Sequence, residues 1–378
     1  MDISLISTAT IPWFTGPSIS SIERLNAIRN EGHKVTLYTP WVEPKNQRII
    51  FSKKLNFNNK EEHLSYIQDY LKKNNKLIDN IKLYDSYYED NSLYPLNSID
   101  NMIEPCDVLV LEEAEHILWY QTFSSKPKKA KYIVGIIQSN YKERVKYLIS
   151  PFNLKIQLYR LLLPYYNAYI CGKNCDRIIS VSRSIEYKGN IIIARVNGVR
   201  DIFLQQQNHQ FIKDFYYLGA VTWEKNLKEL IEYCGICKIP IDIYGSAIND
   251  NRSTMEKIIK YSSEHGDYLS FQGSTIEPHK TLASYKTYIS CSVTEGYCAV
   301  HTEAIAMGKF VIIPRHPSNE FFYHYENVLL FDNPQEFAQC IEYTLNNEPT
   351  PLSKEELEKL SWKKATKILL SKFIPSNI

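Results

Sequence analysis

The stretch DISLISTATIPWFTGPSISSIERLNAIRNEGHKVTLYTPW, Asp2 to Trp41, decides the fold. DISLISTAT is a run of apolar and small residues suited to a short buried strand. PWFTGPSIS brings a glycine- and proline-bearing turn that opens a helix through SIERLNAIRNEG, and HKVTLYTPW is a second strand. Strand, helix and strand in this order make a βαβ unit, and its crossover helix sets the two strands parallel. A parallel sheet with helices on its faces follows.

The pattern recurs along the chain in CDVLVLEE, in KKAKYIVGIIQSN, and in CDRIISVS followed by GNIIIARVNGV. Residues 42–101, rich in Lys, Asn and Tyr, lack strand periodicity and read as helices and loops. A polar segment, LQQQNHQFIKD, separates this first sheet from FYYLGAVTWEKNLKELIEYCGICKIPIDIYGS, again strand, helix and strand. YLSFQGS, YKTYISCSVTEG, KFVIIPR and NVLLFDN add further buried-looking strands. At 378 residues the chain exceeds what one core usually organises. Two open α/β domains are expected, residues 1–207 and 208–350, then a C-terminal segment, 351–378. There SKEELEKLSWKKATKILLSKF reads as one amphipathic helix, with Ser353 and Glu356 at capping-box spacing.

Composition narrows the function classes. Hydrophobic residues make up 44% against 23% charged, as in folded globular chains. A formal charge of +2 argues against bulk nucleic-acid binding. The eight cysteines are scattered. Cys234 and Cys237 form a CxxC without a second pair, and Cys171 with Cys175 has helical i,i+4 spacing. Reduced structural thiols and no metal site are the reading. The opening, with acidic Asp2 and no basic residue, gives no signal-peptide expectation, and no apolar run reaches membrane-spanning length. A membrane role is then peripheral.

Several residues could carry chemistry. Glu295 ends a strand, where open α/β sheets bind ligands, and Glu303 follows on the next helix. Helix-start amides could hold a diphosphate there while the two acids bind hydroxyls, although solvated helix-start acids have the same spacing. Lys225 in TWEKNLKEL sits at a helix start, where a cation suits an incoming phosphate better than the helix dipole, or is plain surface. Gly16 and Gly245 are positions of close backbone approach or ordinary turn glycines. NYKERVKYLISPFNLKIQLYRLLLPYYNAYI interleaves Lys142, Arg144, Lys146, Lys155 and Arg160 with apolar and aromatic residues. It fits an anionic membrane interface or a core helix pair with a solvated face. In EEAEHILWY, His116 could be a base and Trp119 a sugar platform, or both could pack.

Taken together, the chain resembles the two-domain GT-B glycosyltransferases, specifically the digalactosyldiacylglycerol synthase branch of retaining family 4. PWFTGPSIS, VTLYTPW, LEEAEHILWY, VGIIQSNY, NCDRIISVS and VNGV carry the likeness first, followed by WEKNLKEL, TEAIAMGKFV and HPSNEFF. The resemblance implies two Rossmann-like domains facing across a crevice, with a C-terminal helix returning to the first. It implies transfer of galactose, with retention, from UDP-galactose to monogalactosyldiacylglycerol. UDP-glucose, another lipid acceptor, or a silent lipid- or nucleotide-binding relative are the alternatives. The partners implied are a UDP-sugar donor, a glycolipid acceptor and a membrane surface met through residues 141–170, at a peripheral location and with no metal or other cofactor.

Within this likeness Glu295, Lys225 and Gln138 form the catalytic set. Gly16, Gly245, Lys225, Glu295, His301, Thr302 and Glu303 form the donor-binding set. Two departures stand out: Gln138 occupies a position that is usually histidine, and Ala220 one that is often basic. Glutamine can hydrogen-bond a sugar hydroxyl but carries no proton charge.

Overall fold

A computed structural model describes the chain except residues 52–54, 90–91, 122–124, 141–153, 207–209, 248–251, 276 and 374–378. At residues 120, 154–157, 160, 252 and 373 only the backbone is described. The chain divides into two units. The first comprises Met1–Lys142, Asn153–Asn197 and Ala365–Ile378, and the second comprises Glu143–Phe152 and Gly198–Lys364.

The first unit is built on β1 (Asp2–Ile6), β2 (Lys34–Trp41), β3 (Asn80–Glu89), β4 (Ser92–Pro95), β5 (Cys106–Glu112), β6 (Ala130–Ile137), β7 (Arg177–Ser180) and β8 (Ile192–Ile193). Their order is β4-β3-β2-β1-β5-β6-β7-β8. Helix Gly16–Asn30 carries β1 to β2, and Leu5 pairs with Leu37 on one side and Val110 on the other. All neighbours are parallel except β3 and β4. Ile3, Leu5, Val35, Leu109, Val110, Ile133 and Val134 are completely or almost completely buried, as strands covered on both faces require.

β3 and β4 lie in the stretch read from sequence as helices and loops. NIKLYDSYYE has no continuous apolar run. Tyr84 and Ser86 turn inward while their neighbours stay half-exposed, so tyrosine supplies the burial that aliphatic residues supply elsewhere.

The second unit holds β9 (Lys213–Leu218), β10 (Ile241–Tyr244), β11 (Leu269–Gly273), β12 (Tyr285–Ile289), β13 (Phe310–Pro314) and β14 (Val328–Phe331), ordered β11-β10-β9-β12-β13-β14. Every pair is parallel. Renumbered within the unit this is 3-2-1-4-5-6, the doubly wound order, and the strand order reverses between β9 and β12. In open α/β sheets, ligands bind beyond the carboxyl ends of the strands at such a reversal.

The C-terminal segment is two helices rather than one. Ser353 and Glu356 form the expected capping box on helix Lys354–Leu360, and helix Trp362–Phe373 follows after extended Ser361. The break comes from packing. Val199 donates to Leu360 O at 2.8 Å and bridges to Ser361. A Cβ at Gly198 would stand 2.3 Å from the Trp362 nitrogen, so the glycine of VNGV lets the two backbones touch.

Candidate functional site

Lys225 and Glu295 follow β9 and β12, the two strands that flank the reversal. Three ties join their loops. Asn226, in left-handed conformation (φ 56°), closes the turn Trp223–Lys225 and donates from Nδ2 to Cys291 O at 3.1 Å. Thr294 Oγ1 donates to Glu224 O at 3.0 Å. Lys225 Nζ meets Glu295 Oε1 at 2.6 Å, with 28% and 15% of the two side chains exposed. Burial opposes the charge on each partner, but their mutual attraction outweighs it. The lysine pKa is lifted above its usual value and the glutamate held below its own. Both groups are therefore charged at neutral pH.

Glu303 sits in the second turn of helix Ala299–Ala306 and takes a hydrogen bond from Arg200 Nη2 at 3.0 Å. Burial raises its pKa against the pull of Arg200. Arg200 was not read from the sequence as a site residue. Its signal was its place directly after VNGV, where Gly198 and Val199 fix the backbone against Leu360 and Ser361. Thr302 Oγ1 is turned to Tyr297 Oη at 2.7 Å, which commits its hydroxyl.

His301 is fully buried between the Tyr288 and Phe322 rings, at 5.5 and 5.7 Å, and neither ring nitrogen makes a hydrogen bond of normal geometry to a described residue. Burial pushes its pKa down to about 4, against the opposing charge of Glu295. From pH 6.5 down to about 4 the unfolded chain binds a proton here that the folded chain refuses, so stability is full above that window and declines as pH falls through it. His301→Phe is expected to remove up to roughly 3 kcal/mol of this acid sensitivity, read as a flatter profile of urea-unfolding free energy against pH.

Gly245 has a structural reason to be glycine. Its φ is 151°, and a Cβ would stand 1.8 Å from Gly219 O, where the ends of β9 and β10 press together. At Gly16, the first residue of its helix, a Cβ would meet nothing within 4 Å, which leaves room above that helix start.

Gln138 belongs to the first unit, directly after β6, and its amide is committed on both ends. Nε2 donates to Glu112 Oε1 at 2.5 Å, and Oε1 accepts from Asn197 Nδ2 at 2.9 Å. Glu112 also takes Ser20 Oγ at 2.8 Å and a two-pronged contact from Arg24 at 3.1 and 3.2 Å. Arg24 further reaches Val196 O and Asn197 Oδ1, each at 2.6 Å, and both charges of the pair are fully buried. Glu112 can only accept, so the orientation of the glutamine amide is fixed by its neighbours, and one N–H remains uncommitted.

His116 is stacked on Tyr94 at 4.4 Å and bonded to Leu93 O at 3.0 Å, and the Trp119 indole donates to Asn167 Oδ1 at 2.9 Å. Packing, not base or platform chemistry, accounts for both. All eight cysteines are free thiols. Among the described residues no three His, Cys, Asp or Glu side chains cluster as a metal site, and no helix is long and apolar enough to cross a membrane.

This geometry has relatives. Residues 212–347 match the family model for Glycosyl transferases group 1. The whole fold superposes on sucrose-phosphate synthase from Thermosynechococcus elongatus with a TM-score of 0.63 and 16% identity, covering 99% of this chain and 98% of that one. It also superposes on Anabaena HepE, solved with UDP and glucose, with a TM-score of 0.61 and 12% identity, covering 99% and 95%. Two Rossmann-like units, the second matching this family model, make a GT-B-type fold. In sequence the chain is related to the plant digalactosyldiacylglycerol synthases. It is 29% identical to synthase 1 of Lotus japonicus over 96% of its own length, and 28% identical to synthase 2 of Arabidopsis thaliana over 96%. The chain spans about half of the former (48%) and 80% of the latter.

Proposed function

We propose that the protein transfers a hexose, with retention, from a UDP-sugar to the sugar headgroup of a membrane glycolipid, with UDP-galactose as donor and monogalactosyldiacylglycerol as acceptor. The observation that carries this reading is the tied Lys225–Glu295 pair at the strand reversal of the second unit. A diphosphate arriving at the start of helix Ala299–Ala306 meets the helix-start amides and a positive dipole end, with no acidic residue in the first turn to repel it. Lys225 then exchanges Glu295 for the diphosphate, and Glu295 is freed to accept from a donor-sugar hydroxyl. Glu303 makes the same exchange, from Arg200 to the ribose diol. In the first unit, Gly16 leaves room at its own helix start, and Gln138 keeps one N–H for a sugar hydroxyl.

In the reaction the bond from the anomeric carbon to the diphosphate oxygen breaks and a bond to the acceptor oxygen forms on the same face. The acceptor proton passes to the departing phosphate oxygen. The protein supplies position and charge stabilisation, which Lys225 and the helix-start amides can give without a metal and without a histidine at position 138.

The membrane part of the proposal rests on helix Leu154–Asn174. Leu163, Asn167, Ile170, Cys171 and Asn174 are buried on one side. Leu158, Leu161, Leu162, Tyr165, Tyr166 and Tyr169 stand exposed at i,i+3 and i,i+4 spacing on the other. Lys142, Arg144 and Lys146, the basic half of the patch read from sequence, lie outside the described residues, as do the side chains of Lys155 and Arg160. A second apolar face flanked by basic sequence suits an anionic leaflet. Replacing both Leu161 and Leu162, 61% and 52% exposed, with serine is expected to weaken sedimentation with phosphatidylglycerol vesicles at least about tenfold.

A panel of radiolabelled UDP-hexoses, each incubated with vesicles containing monogalactosyldiacylglycerol or diacylglycerol, tests the donor and acceptor together. Label in a digalactolipid from UDP-galactose is the expected result. Label from UDP-glucose alone moves the assignment to the alternative donor, and UDP binding without any lipid product leaves only a binding module.

A further inference from the structure

Behind β6, in the first unit, lies a second polar niche that the donor chemistry does not use. Glu115, Ser139, Asn140, Asn167 and Glu186 line it together with Leu163, Pro164 and Tyr187, and its water-sized space is about 10 Å³, enough for one water or one hydroxyl. Glu115 is completely buried, and among the described residues neither carboxyl oxygen has a hydrogen-bond partner. Its neighbour Glu113 is fully engaged, taking hydroxyls from Thr8 and Ser139 at 2.5 Å each. Asn167 spends its oxygen on Trp119, and its amide NH₂ makes no hydrogen bond to a described residue.

Ionising an unpartnered buried carboxyl is unfavourable, and burial drives the Glu115 pKa well above the carboxylate range, with the Glu113 charge adding to the shift. The protonated acid has one donor and one acceptor, which is the complement of a single alcohol. Leu163, Pro164 and Asn167 reach the niche from the helix whose outer side exposes Leu161, Leu162, Tyr165 and Tyr166.

We propose that the Glu115 niche is a hydroxyl-recognition subsite, in which the Glu115 carboxyl and the Asn167 amide hold one hydroxyl of the sugar headgroup of a membrane-borne acceptor. It deepens the glycolipid reading and rests on it for the class of ligand. Glu115 is a binding residue here and takes no part in bond breaking.

The test uses tryptophan emission, because Trp119 is hydrogen-bonded to Asn167 and reports locally. Phosphatidylglycerol vesicles with and without monogalactosyldiacylglycerol are the probe. Glycolipid vesicles are expected to change the emission beyond plain vesicles, and Trp119→Phe to remove that extra change. Glu115→Leu raises the glycolipid fraction at half-maximal signal about tenfold, whereas Glu115→Gln, which keeps a donor and an acceptor, raises it no more than about threefold. Thermal unfolding checks that each variant is folded, and Asn167→Leu carries the same tenfold expectation if Glu115→Leu is not. No extra change in the wild type, or a folded leucine variant that matches it, overturns the proposal and leaves a niche for buried water. Loss of sugar transfer with the fluorescence response intact overturns the enzymatic reading alone.

Discussion

Lys225→Ala is expected to lower kcat for sugar transfer about 10² to 10³-fold, equivalent to roughly 3–4 kcal/mol of transition-state stabilisation. On the proposed reaction negative charge grows on the departing diphosphate, and Lys225 is a cation held by the tied β9 and β12 loops. Because the lysine pairs with Glu295 before the donor arrives, the variant also leaves that carboxylate without its partner and Glu295 shifts toward the neutral form. Lys225→Arg is expected to recover only part of the rate, since a planar fork does not replace a point charge at this spacing. Steady-state kinetics with saturating donor check both variants. A Lys225→Ala enzyme within about threefold of wild type in kcat would remove the lysine from the mechanism.

The second large effect concerns stability. Arg24→Met is expected to destabilise the first unit by about 3–5 kcal/mol, seen as a lower urea midpoint with an unchanged slope. The guanidinium makes four hydrogen bonds, to Glu112, Val196 and Asn197, and its pair with Glu112 is fully buried. Removing the cation leaves the Glu112 carboxylate in a dry site, held among the described residues by Ser20 and Gln138. The double variant Arg24→Met, Glu112→Leu recovers part of the loss, because deleting both charges costs less than stranding one.

The same network shows where sequence reading succeeds and where it ends. The βαβ unit of residues 2–41 is written in local patterns, apolar runs separated by a turn, and the structure reproduces it strand for strand. The capping box at Ser353 is legible for the same reason. The helix break at Ser361 is not, because its cause is backbone contact with Gly198 and Val199, far away in sequence. Strand β3 escapes because it has no continuous apolar run and buries only Tyr84 and Ser86.

At the candidate site, Lys225, Glu295 and Glu303 stand out as candidates by their position relative to strands and helix starts, a local signal. Arg200 was missed because only the tertiary fold brings it to Glu303, 103 residues later. Gln138 was singled out as a departure from a family pattern. Its amide is oriented by Glu112 and Asn197, a long-range pairing that no residue spacing announces.

The central claim is tested most directly by the chemical structure of the product. Protein, UDP-galactose and vesicles of monogalactosyldiacylglycerol are incubated together, and the extracted lipid is examined by mass spectrometry and proton NMR. The account predicts a lipid heavier by one hexose, with the new anomeric proton in the α configuration of the donor. A β-linked product would contradict retention, and the absence of a lipid-linked hexose from every UDP-hexose would contradict the transferase itself.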